Sequence, residues 1–420
     1  MKRYDVVVLG AGPAGLAAGL AAGRNGAETL IIEREDRPGG ILKQCIHDGF
    51  GLIRFGQRLS GPEYAHKYVE MVREQGVPIM TSTFVNEVVR DGDGFELTLV
   101  NSDRGVFKIN AGALVLANGC RERTARQVAI HGTRPAGIYT AGTAQYFVNI
   151  MGYLPCKECV ILGSGDIGLI MARRLTLEGA KVHGVYEVKP EPSGLSRNIA
   201  QCLEDYDIPL YLSHTVVRVI GEDRVEAVEI AQVDNNMNVV AGTEKLVKCD
   251  SLILSVGLIP ENEIAEALGI KLDCSTKGPV VDQNFMTGME GVFSCGNALH
   301  VNDLADYVSE SGECAGHNAA DYVRHRENVR LIPVNAENKD FLYRVPQNIN
   351  IDSKNRKLIM YFRSRDTRKN ARVQVKCGET VLFNKKYLSL KPPEMERLEI
   401  DISGLDLQDK VSLEIIMLEG

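Results

Sequence analysis

The sequence predicts an α/β protein in which two parallel-sheet domains precede a small all-β domain. Residues 6–23 and 160–177 each contain a short apolar strand, a glycine-rich turn and a helical segment, in that order. Each stretch is followed by a second strand that ends in a glutamate. From Leu331 onward, alternating apolar and polar residues replace any long helical period. A length of 420 residues is enough for two or three domains.

The first glycine-rich turn, Gly10-x-Gly12-x-x-Gly15, directly follows the apolar run Val6–Leu9. Its first glycine permits a tight turn, its second lets the backbone approach a pyrophosphate, and its third allows close helix contact. Free N–H groups at the start of the next helix attract phosphate charge. We therefore predict a dinucleotide site made by Gly10, Gly12, Pro13, Ala14 and Gly15.

A glutamate follows the second strand of this first dinucleotide-binding pattern. Glu33 follows the strand Thr29–Ile32 and lies 23 residues after Gly10, where a carboxylate accepts hydrogen bonds from a ribose 2′-hydroxyl. The uncharged residues 6–23 are also about the minimum length of a membrane span. Because Pro13 and several glycines interrupt them, we predict no membrane insertion.

The same pattern recurs in the middle of the chain. The strand Val160–Leu162 leads into Gly163-x-Gly165-x-x-Gly168, and a strand from Lys181 ends in Glu187, 24 residues after the first glycine. The predicted contacts to a second dinucleotide come from Gly163, Gly165, Asp166, Ile167, Gly168 and Glu187. The acid favours NAD(H), and Lys189 leaves NADP(H) as the less favoured alternative.

Composition narrows the class of protein. The chain is 44% hydrophobic and 25% charged, and its net charge of −7 gives no general attraction to nucleic acid. A strand that begins near Tyr4 leaves no room for a secretory signal, so we expect a cytoplasmic protein with reduced thiols. Cys156-x-x-Cys159 lacks a second ligand pair nearby, and no metal site is predicted.

The C-terminal region, residues 335–420, is predicted to be a small β-sandwich with strands such as Ala371–Cys377 and Val411–Met417. Residues 354–376 contain nine Lys or Arg and one Asp. A solvated sheet face explains this basic strip, and docking of an acidic redox partner is the alternative.

Two nucleotide folds, the second inserted in the first, resemble the FAD/NAD(P)-dependent pyridine nucleotide-disulfide oxidoreductase superfamily. The resemblance covers about residues 1–330. It implies an FAD domain at 1–118 and 258–330 around Gly10, Gly12, Gly15 and Glu33, and an NAD(H) domain at 119–257. Further contacts to the cofactors are implied for Gly40, Asn118, Gly119, Gly257, Gly296 and Asn297. Asn297 departs from the family's usual aspartate.

The segments GGILKQCIHDGFG, GLIPEN and CGNALHVNDLADYVSESGECAG resemble a bacterial subgroup found with glycerol-3-phosphate dehydrogenase genes. This subgroup is similar to the flavoprotein subunits of cyanide synthase, opine oxidase and proline dehydrogenase. The resemblance implies electron transfer between NAD(H) and a partner dehydrogenase acting on glycerol 3-phosphate or a 2-hydroxy acid, in a homo- or hetero-oligomer.

Two other functions stay open. In one, the chain is a stand-alone NADH oxidase, peroxidase or thiol-disulfide reductase that uses Cys45, activated by His47, or the pair Cys156 and Cys159. In the other, it is a flavin-binding assembly or sensing module without turnover. His47 and His300 are candidate proton donors at the flavin edge.

Overall fold

The computed structural model describes residues 2–326, 328–336, 339–405 and 412–419. The chain divides into two compact units, unit 1 with residues 1–120 and 260–420, and unit 2 with residues 121–259. Unit 2 is thus inserted, in sequence, into unit 1. Val411, the predicted start of the last strand, lies outside the described residues.

The first segment of unit 1 begins with the predicted strand, turn, helix and strand. Its elements are β1 (Lys2–Leu9), α1 (Pro13–Arg24), β2 (Thr29–Ile32), β3 (Asp48–Phe50), β4 (Leu59–Ser60), α2 (Gly61–Glu74), β5 (Ile79–Met80), β6 (Thr83–Asp91), β7 (Gly94–Asn101) and β8 (Gly105–Leu116). A 3₁₀ helix spans Gly40–Gln44.

Unit 2 and its flanking strands follow in the chain. The elements are β9 (Cys120–Glu122), β10 (His131–Gly132), β11 (Ile138–Thr140), α3 (Ala141–Asn149), β12 (Glu158–Leu162), α4 (Asp166–Leu177), β13 (Lys181–Glu187), α5 (Ser196–Cys202), β14 (Leu210–Leu212), β15 (His214–Ile220), β16 (Ala227–Gln232), β17 (Lys245–Lys248), β18 (Ser251–Leu254) and β19 (Leu258–Pro260). Short 3₁₀ helices span Ala125–Val128 and Glu204–Tyr206.

The second segment of unit 1 completes the fold. It contains α6 (Glu263–Ala267), β20 (Val292–Ser294), a 3₁₀ helix (Gly296–Ala298), α7 (Ala305–Arg324), β21 (Leu331–Ala336), β22 (Phe341–Val345), β23 (Asn348–Asn350), β24 (Lys357–Ser364), β25 (Arg368–Cys377), β26 (Thr380–Leu390), β27 (Glu396–Asp401) and β28 (Leu413–Glu419). None of the helices in the described ranges combines the length and the apolar character that a bilayer-spanning helix needs.

The predicted α/β class is confirmed by the sheets. In unit 1 the strand order is β5-β2-β1-β8-β7-β6, with β20 beside β8, and Val7 of the central strand pairs in parallel with Leu30 and Leu114. In unit 2 the parallel order is β11-β18-β12-β13-β14. Both central strands, β1 and β12, are almost fully buried before their glycine turns, as strands covered on both faces should be.

Helices α1 and α7 touch through their backbones. A Cβ atom at Gly312 would lie 2.1 Å from the carbonyl oxygen of Ala14, and one at Gly316 would lie 2.0 Å from that of Ala18. Only glycine therefore fits at these two positions of α7. The contact fixes the start of α1, and with it the first glycine turn, against α7.

The C-terminal domain has two sheets, β23-β21-β28-β25-β26 and β22-β24-β27, around a core that includes Val373, Leu358 and Phe362. Its first strand begins at Leu331, four residues before the predicted boundary. Within unit 1 this domain is tied to α7. Glu310 accepts hydrogen bonds from Arg397 at 2.7 and 2.6 Å and from the Tyr361 hydroxyl at 2.8 Å.

The basic strip of residues 354–376 is partly neutralised by acids inside unit 1. Four of its cations form ion pairs with carboxylates, namely Lys357 with Glu399, Arg363 with Asp303, Arg368 with Asp340, and Lys376 with Glu414. Because these pairs use acids of the same chain, the strip presents less positive charge than its sequence suggests. This weakens the argument for an acidic docking partner.

We expect Arg397→Ala to lower the free energy of unfolding by about 2–3 kcal/mol, because it removes two hydrogen bonds from the half-buried Glu310 carboxylate. Urea titration measures this change. The control Lys391→Ala removes a more exposed pair with Glu394 and should cost less than about 1 kcal/mol. Equal effects of the two substitutions would contradict this role for Arg397.

Candidate functional site

The first cradle, residues Gly10–Gly15, has the backbone shape that a pyrophosphate site requires. Gly10 has φ +106°, and a Cβ at Gly15 would lie 1.8 Å from the Gly10 carbonyl oxygen. The first hydrogen bond of α1 joins the Leu16 N–H to the Gly12 carbonyl, so the preceding N–H groups of Ala14 and Gly15 have no acceptor in the helix.

A second backbone segment closes over this cradle. The Gly39 N–H donates to the Ala11 carbonyl at 2.8 Å, and a Cβ at Gly40 would lie 2.9 Å from the Gly12 Cα. Gly40 also has φ +55°, which disfavours any side chain. The predicted residue Gly40 therefore lies directly beside the pyrophosphate-facing glycine.

Glu33 is buried and holds the first cradle in place. One carboxylate oxygen accepts the Ala11 N–H at 2.8 Å, and the other accepts the Glu35 N–H at 3.0 Å. Each carboxylate oxygen has two acceptor sites, so capacity for a ribose hydroxyl remains. The sequence predicted the sugar contact for this acid but missed its tie to the turn.

The second cradle, residues Gly163–Gly168, repeats this arrangement with polar side chains. Glu187 is 4% exposed and accepts the Ser164 N–H at 3.0 Å, the Ser164 hydroxyl at 2.6 Å and the Lys189 N–H at 3.1 Å. The first hydrogen bond of α4 runs from Leu169 to Gly165, leaving the N–H groups of Asp166, Ile167 and Gly168 at the open end of the helix.

The comparisons with known proteins agree with this pair of cradles. The family model described as pyridine nucleotide-disulphide oxidoreductase matches residues 4–320. The chain belongs to this family. As a pyridine nucleotide-disulphide oxidoreductase it is an enzyme that uses FAD and NAD(P)H.

Individual relatives are distant. Thioredoxin reductase of Listeria innocua is 27% identical over 334 residues, which cover 77% of this chain and 94% of that protein. Hydrogen cyanide synthase subunit HcnB of Pseudomonas aeruginosa is 25% identical over 290 residues, covering 65% of this chain and 61% of HcnB. The crystal structure of T. acidophilum thioredoxin reductase has a TM-score of 0.62 at 20% identity, covering 77% of this chain and all of that one.

The residues present fit the two cofactors of the family. Both glycine turns exclude side chains where a pyrophosphate must approach, and both end at an open helix start. In unit 1 the buried Asn118 Oδ1 has no hydrogen-bond partner among the described residues, so it is available to a bound group. Which atoms contact each cofactor stays a prediction.

Other predicted residues lie at the segments that connect the units. Gly119 has φ +75° and accepts the Glu261 N–H at 3.0 Å in unit 1. In unit 2 Gly257 has φ +99° and accepts the Arg123 N–H at 3.1 Å.

Gly296 begins the 3₁₀ helix after β20 and has φ +61°. The Asn297 amide oxygen accepts the Asn302 N–H at 3.0 Å, while its amide nitrogen donates to the Cys120 sulfur at 3.5 Å. Asn297 thus organises the loop before α7. Its predicted contact to the cofactor remains a prediction.

Cys45 does not have the lowered pKa that a thiolate role requires. Burial raises the pKa of its thiol to about 12, and the sulfur lies 3.4 Å from the Ile41 carbonyl oxygen. His47 contributes nothing to this shift. Its ring lies 3.2 Å from the Asp48 carbonyl and 5.1 Å from the Phe50 ring. The raised pKa does not support activation of Cys45 by His47, and a catalytic role for these two residues stays a prediction.

His300 is buried against the C-terminal domain. Its ring is 1% exposed and lies 5.6 and 5.1 Å from the rings of Tyr343 and Tyr361, both in the C-terminal domain. Burial, and then the charge of Arg363, lower the pKa of His300 to about 3. A lowered pKa disfavours the protonated ring at pH 7, which argues against His300 as a proton donor, and its role at the flavin edge stays a prediction.

Cys159 lies in unit 2 near the start of β12, at the opposite end from the second cradle and about 13 Å from Gly163 along the strand, and Cys156 precedes the strand. Both side chains are buried. Their mutual hydrogen bond lowers the pKa of Cys156 and, together with burial, raises that of Cys159. Within the described ranges, no three His, Cys, Asp or Glu side chains gather as a metal site requires.

Asp306, at the start of α7, was missed by the sequence analysis. Its buried carboxylate accepts the N–H groups of Gly51 and Arg54 at 3.2 and 3.0 Å, and so holds the turn that follows β3. Spacing gives no signal for this contact, because its partners lie more than 250 residues earlier.

We expect alkylation of Cys45 by iodoacetamide to be slow at pH 7 and to accelerate up to pH 10 without a plateau, because only the thiolate reacts and its pKa is about 12. Mass spectrometry of the labelled peptide measures the rate, with the exposed Cys274 as the internal control. His47→Ala should leave the profile of Cys45 unchanged. An alkylation rate of Cys45 that reached a plateau below pH 8 would instead indicate a thiolate at neutral pH.

Proposed function

We propose that the chain binds FAD at the first cradle and NAD(H) at the second, and transfers electrons between NAD(H) and a partner flavoprotein dehydrogenase. The partner would oxidise glycerol 3-phosphate or a 2-hydroxy acid. The flavin supplies the hydride chemistry, while the protein positions the two rings and excludes water.

This proposal rests on the positions and pKa values of the cysteine thiols. None of the ten cysteines forms a disulfide bond in the structure, and burial raises the pKa of Cys45, which follows the segment that closes the first cradle. Cys156 and Cys159 are buried at the far end of a strand from the second cradle. We therefore infer that neither Cys45 nor the Cys156–Cys159 pair accepts electrons from the reduced flavin, and that the flavin requires an external acceptor.

A relative supports an acceptor that is another protein. HcnB is, by its name, a subunit of hydrogen cyanide synthase, and this chain spans 61% of HcnB. A comparable arrangement here would let a separate subunit oxidise the substrate. We extend the idea of a partner to this chain on that similarity and on its thiols.

The second cradle favours NAD(H) over NADP(H). The buried Glu187 carboxylate ends β13 at the position where a ribose 2′-hydroxyl would be recognised. A 2′-phosphate there would place two negative charges side by side, which is unfavourable in a partly desolvated site. Lys189 follows on the exposed side and does not replace this acid.

A thiol-disulfide reductase is the second candidate. The lowered pKa of Cys156 favours it, because a more acidic thiol is a better source of thiolate at neutral pH. In that case Cys156→Ser would abolish reduction of a disulfide such as 5,5′-dithiobis(2-nitrobenzoate), while NADH would still reduce the flavin.

We expect anaerobic NADH to bleach the flavin absorbance of the purified FAD-loaded protein at least tenfold faster than NADPH at equal concentration, because of Glu187. Stopped-flow absorbance near 450 nm measures both rates. A flavin that NADH does not reduce would point to an assembly module without turnover. Equal rates of flavin reduction by NADH and NADPH would contradict the proposed preference for NAD(H).

We also expect the reduced protein to pass electrons slowly to oxygen and disulfides, and faster to a co-purified flavoprotein dehydrogenase. Substrate-dependent NAD⁺ reduction should appear only when the two proteins are mixed, with Cys156→Ser as active as wild type. Full turnover of glycerol 3-phosphate by this chain alone would refute the partner.

A further inference from the structure

The two cradles are closed by different kinds of contact. At the first, the loop after β2 is joined through backbone groups, Gly39 N–H to the Ala11 carbonyl. At the second, the loop after β13 is joined through side chains. The Ser193 N–H donates to the Ser164 hydroxyl at 2.8 Å, and that hydroxyl donates to Glu187 at 2.6 Å.

Asp166, the first residue of α4, provides the carboxylate that binds the loop after β13 directly. Its Oδ1 accepts the Leu195 N–H at 2.9 Å and the Asn198 side-chain amide at 2.7 Å. We call residues Ser193–Asn198 the latch segment. Hydrogen bonds to an ionised carboxylate are stronger than those between neutral groups, so this contact dominates the attachment of the segment.

The latch segment lies directly on the second cradle. A Cβ atom at Gly194 would lie 2.7 Å from the Ser164 carbonyl oxygen and 2.6 Å from the Leu169 side chain. No side chain fits between the segment and the turn. The segment therefore forms a wall beside the residues that face the pyrophosphate.

We infer that the Asp166 side chain positions the latch segment and thereby raises the affinity for NAD(H), and that its carboxylate does not itself bind the dinucleotide. The inference rests on the proposed binding of NAD(H) to the second cradle. A carboxylate that faced a pyrophosphate would repel it, whereas one that binds the Leu195 and Asn198 donors is turned to the segment.

The difference between the cradles suits their proposed cofactors. FAD stays bound during turnover, but NAD(H) must enter and leave in every cycle. Side-chain hydrogen bonds to a surface segment can break without disturbing β12 or β13, because low-stability segments open independently of the core. Asp166 would thus join a rigid sheet to a segment that can be released.

The segment itself can be tested without nucleotide. Trypsin cleaves after Arg197 in the latch segment, whereas Lys189 is followed by Pro190. In the FAD-loaded protein we expect Asp166→Ala to speed cleavage after Arg197 at least about fivefold, because the segment opens more often. Asp166→Asn keeps an acceptor oxygen and should lie near wild type. Glu178→Ala, at the other end of α4, is the control and should have no effect.

Affinity is tested by the kinetics of flavin reduction. Asp166→Ala should raise the KM for NADH about tenfold, or about 1.4 kcal/mol, with a smaller change in kcat. Asn198→Ala should also raise the KM for NADH. The double variant of Asp166→Ala and Asn198→Ala should have a KM no higher than that of Asp166→Ala alone, because both substitutions remove the same hydrogen bond between the two side chains.

A decrease in the KM for NADH would overturn the inference. If Asp166 acted through its charge on the pyrophosphate, Asp166→Ala and Asp166→Asn would both lower the KM, and cleavage after Arg197 would not change. A wild-type flavin that NADH cannot reduce would instead refute the proposed function and the link to NAD(H). The cleavage rates would then still decide whether Asp166 holds the segment.

Discussion

Both halves of the enzyme depend on a buried carboxylate that binds the first turn of a glycine-rich cradle. Glu33 accepts the Ala11 N–H, and Glu187 accepts the Ser164 N–H. A buried carboxylate without partners would cost several kcal/mol, and these hydrogen bonds offset that cost. In return, each bond fixes the turn against the next strand. The helix N–H groups are thereby left at a defined position for a phosphate.

Local patterns made the fold class and the two cradles predictable. Glycine spacing, the apolar strands before each turn and the acid after each second strand are all properties of about thirty consecutive residues. The shape of each glycine turn follows from backbone geometry, as the positive φ angles of Gly10 and Gly163 show. The family match over residues 4–320 agrees with the same reasoning.

Long-range burial was not predictable in the same way. His300 has a polar sequence context, yet strands that begin more than forty residues later cover it and lower its pKa to about 3. Cys45 and His47 are close in sequence, but burial controls the thiol and the imidazole has no part in its pKa. Asp166 was assigned to the cofactor by its position in the motif, although its carboxylate binds Leu195 and Asn198. In each case, tertiary contacts that local spacing does not reveal determine the surroundings of the side chain.

The C-terminal domain is mechanically part of unit 1 for a reason that its own sequence does not reveal. Arg397 and Tyr361 attach it to Glu310 on α7, and two residues further along the same helix Gly312 touches the carbonyl of Ala14 in the first cradle. Because close-packed contacts transmit displacement, a shift of the C-terminal domain would also shift α7 and the first cradle that α7 contacts. The C-terminal domain is therefore linked to the first cradle through α7, even though none of its strands belongs to the nucleotide-binding sheet.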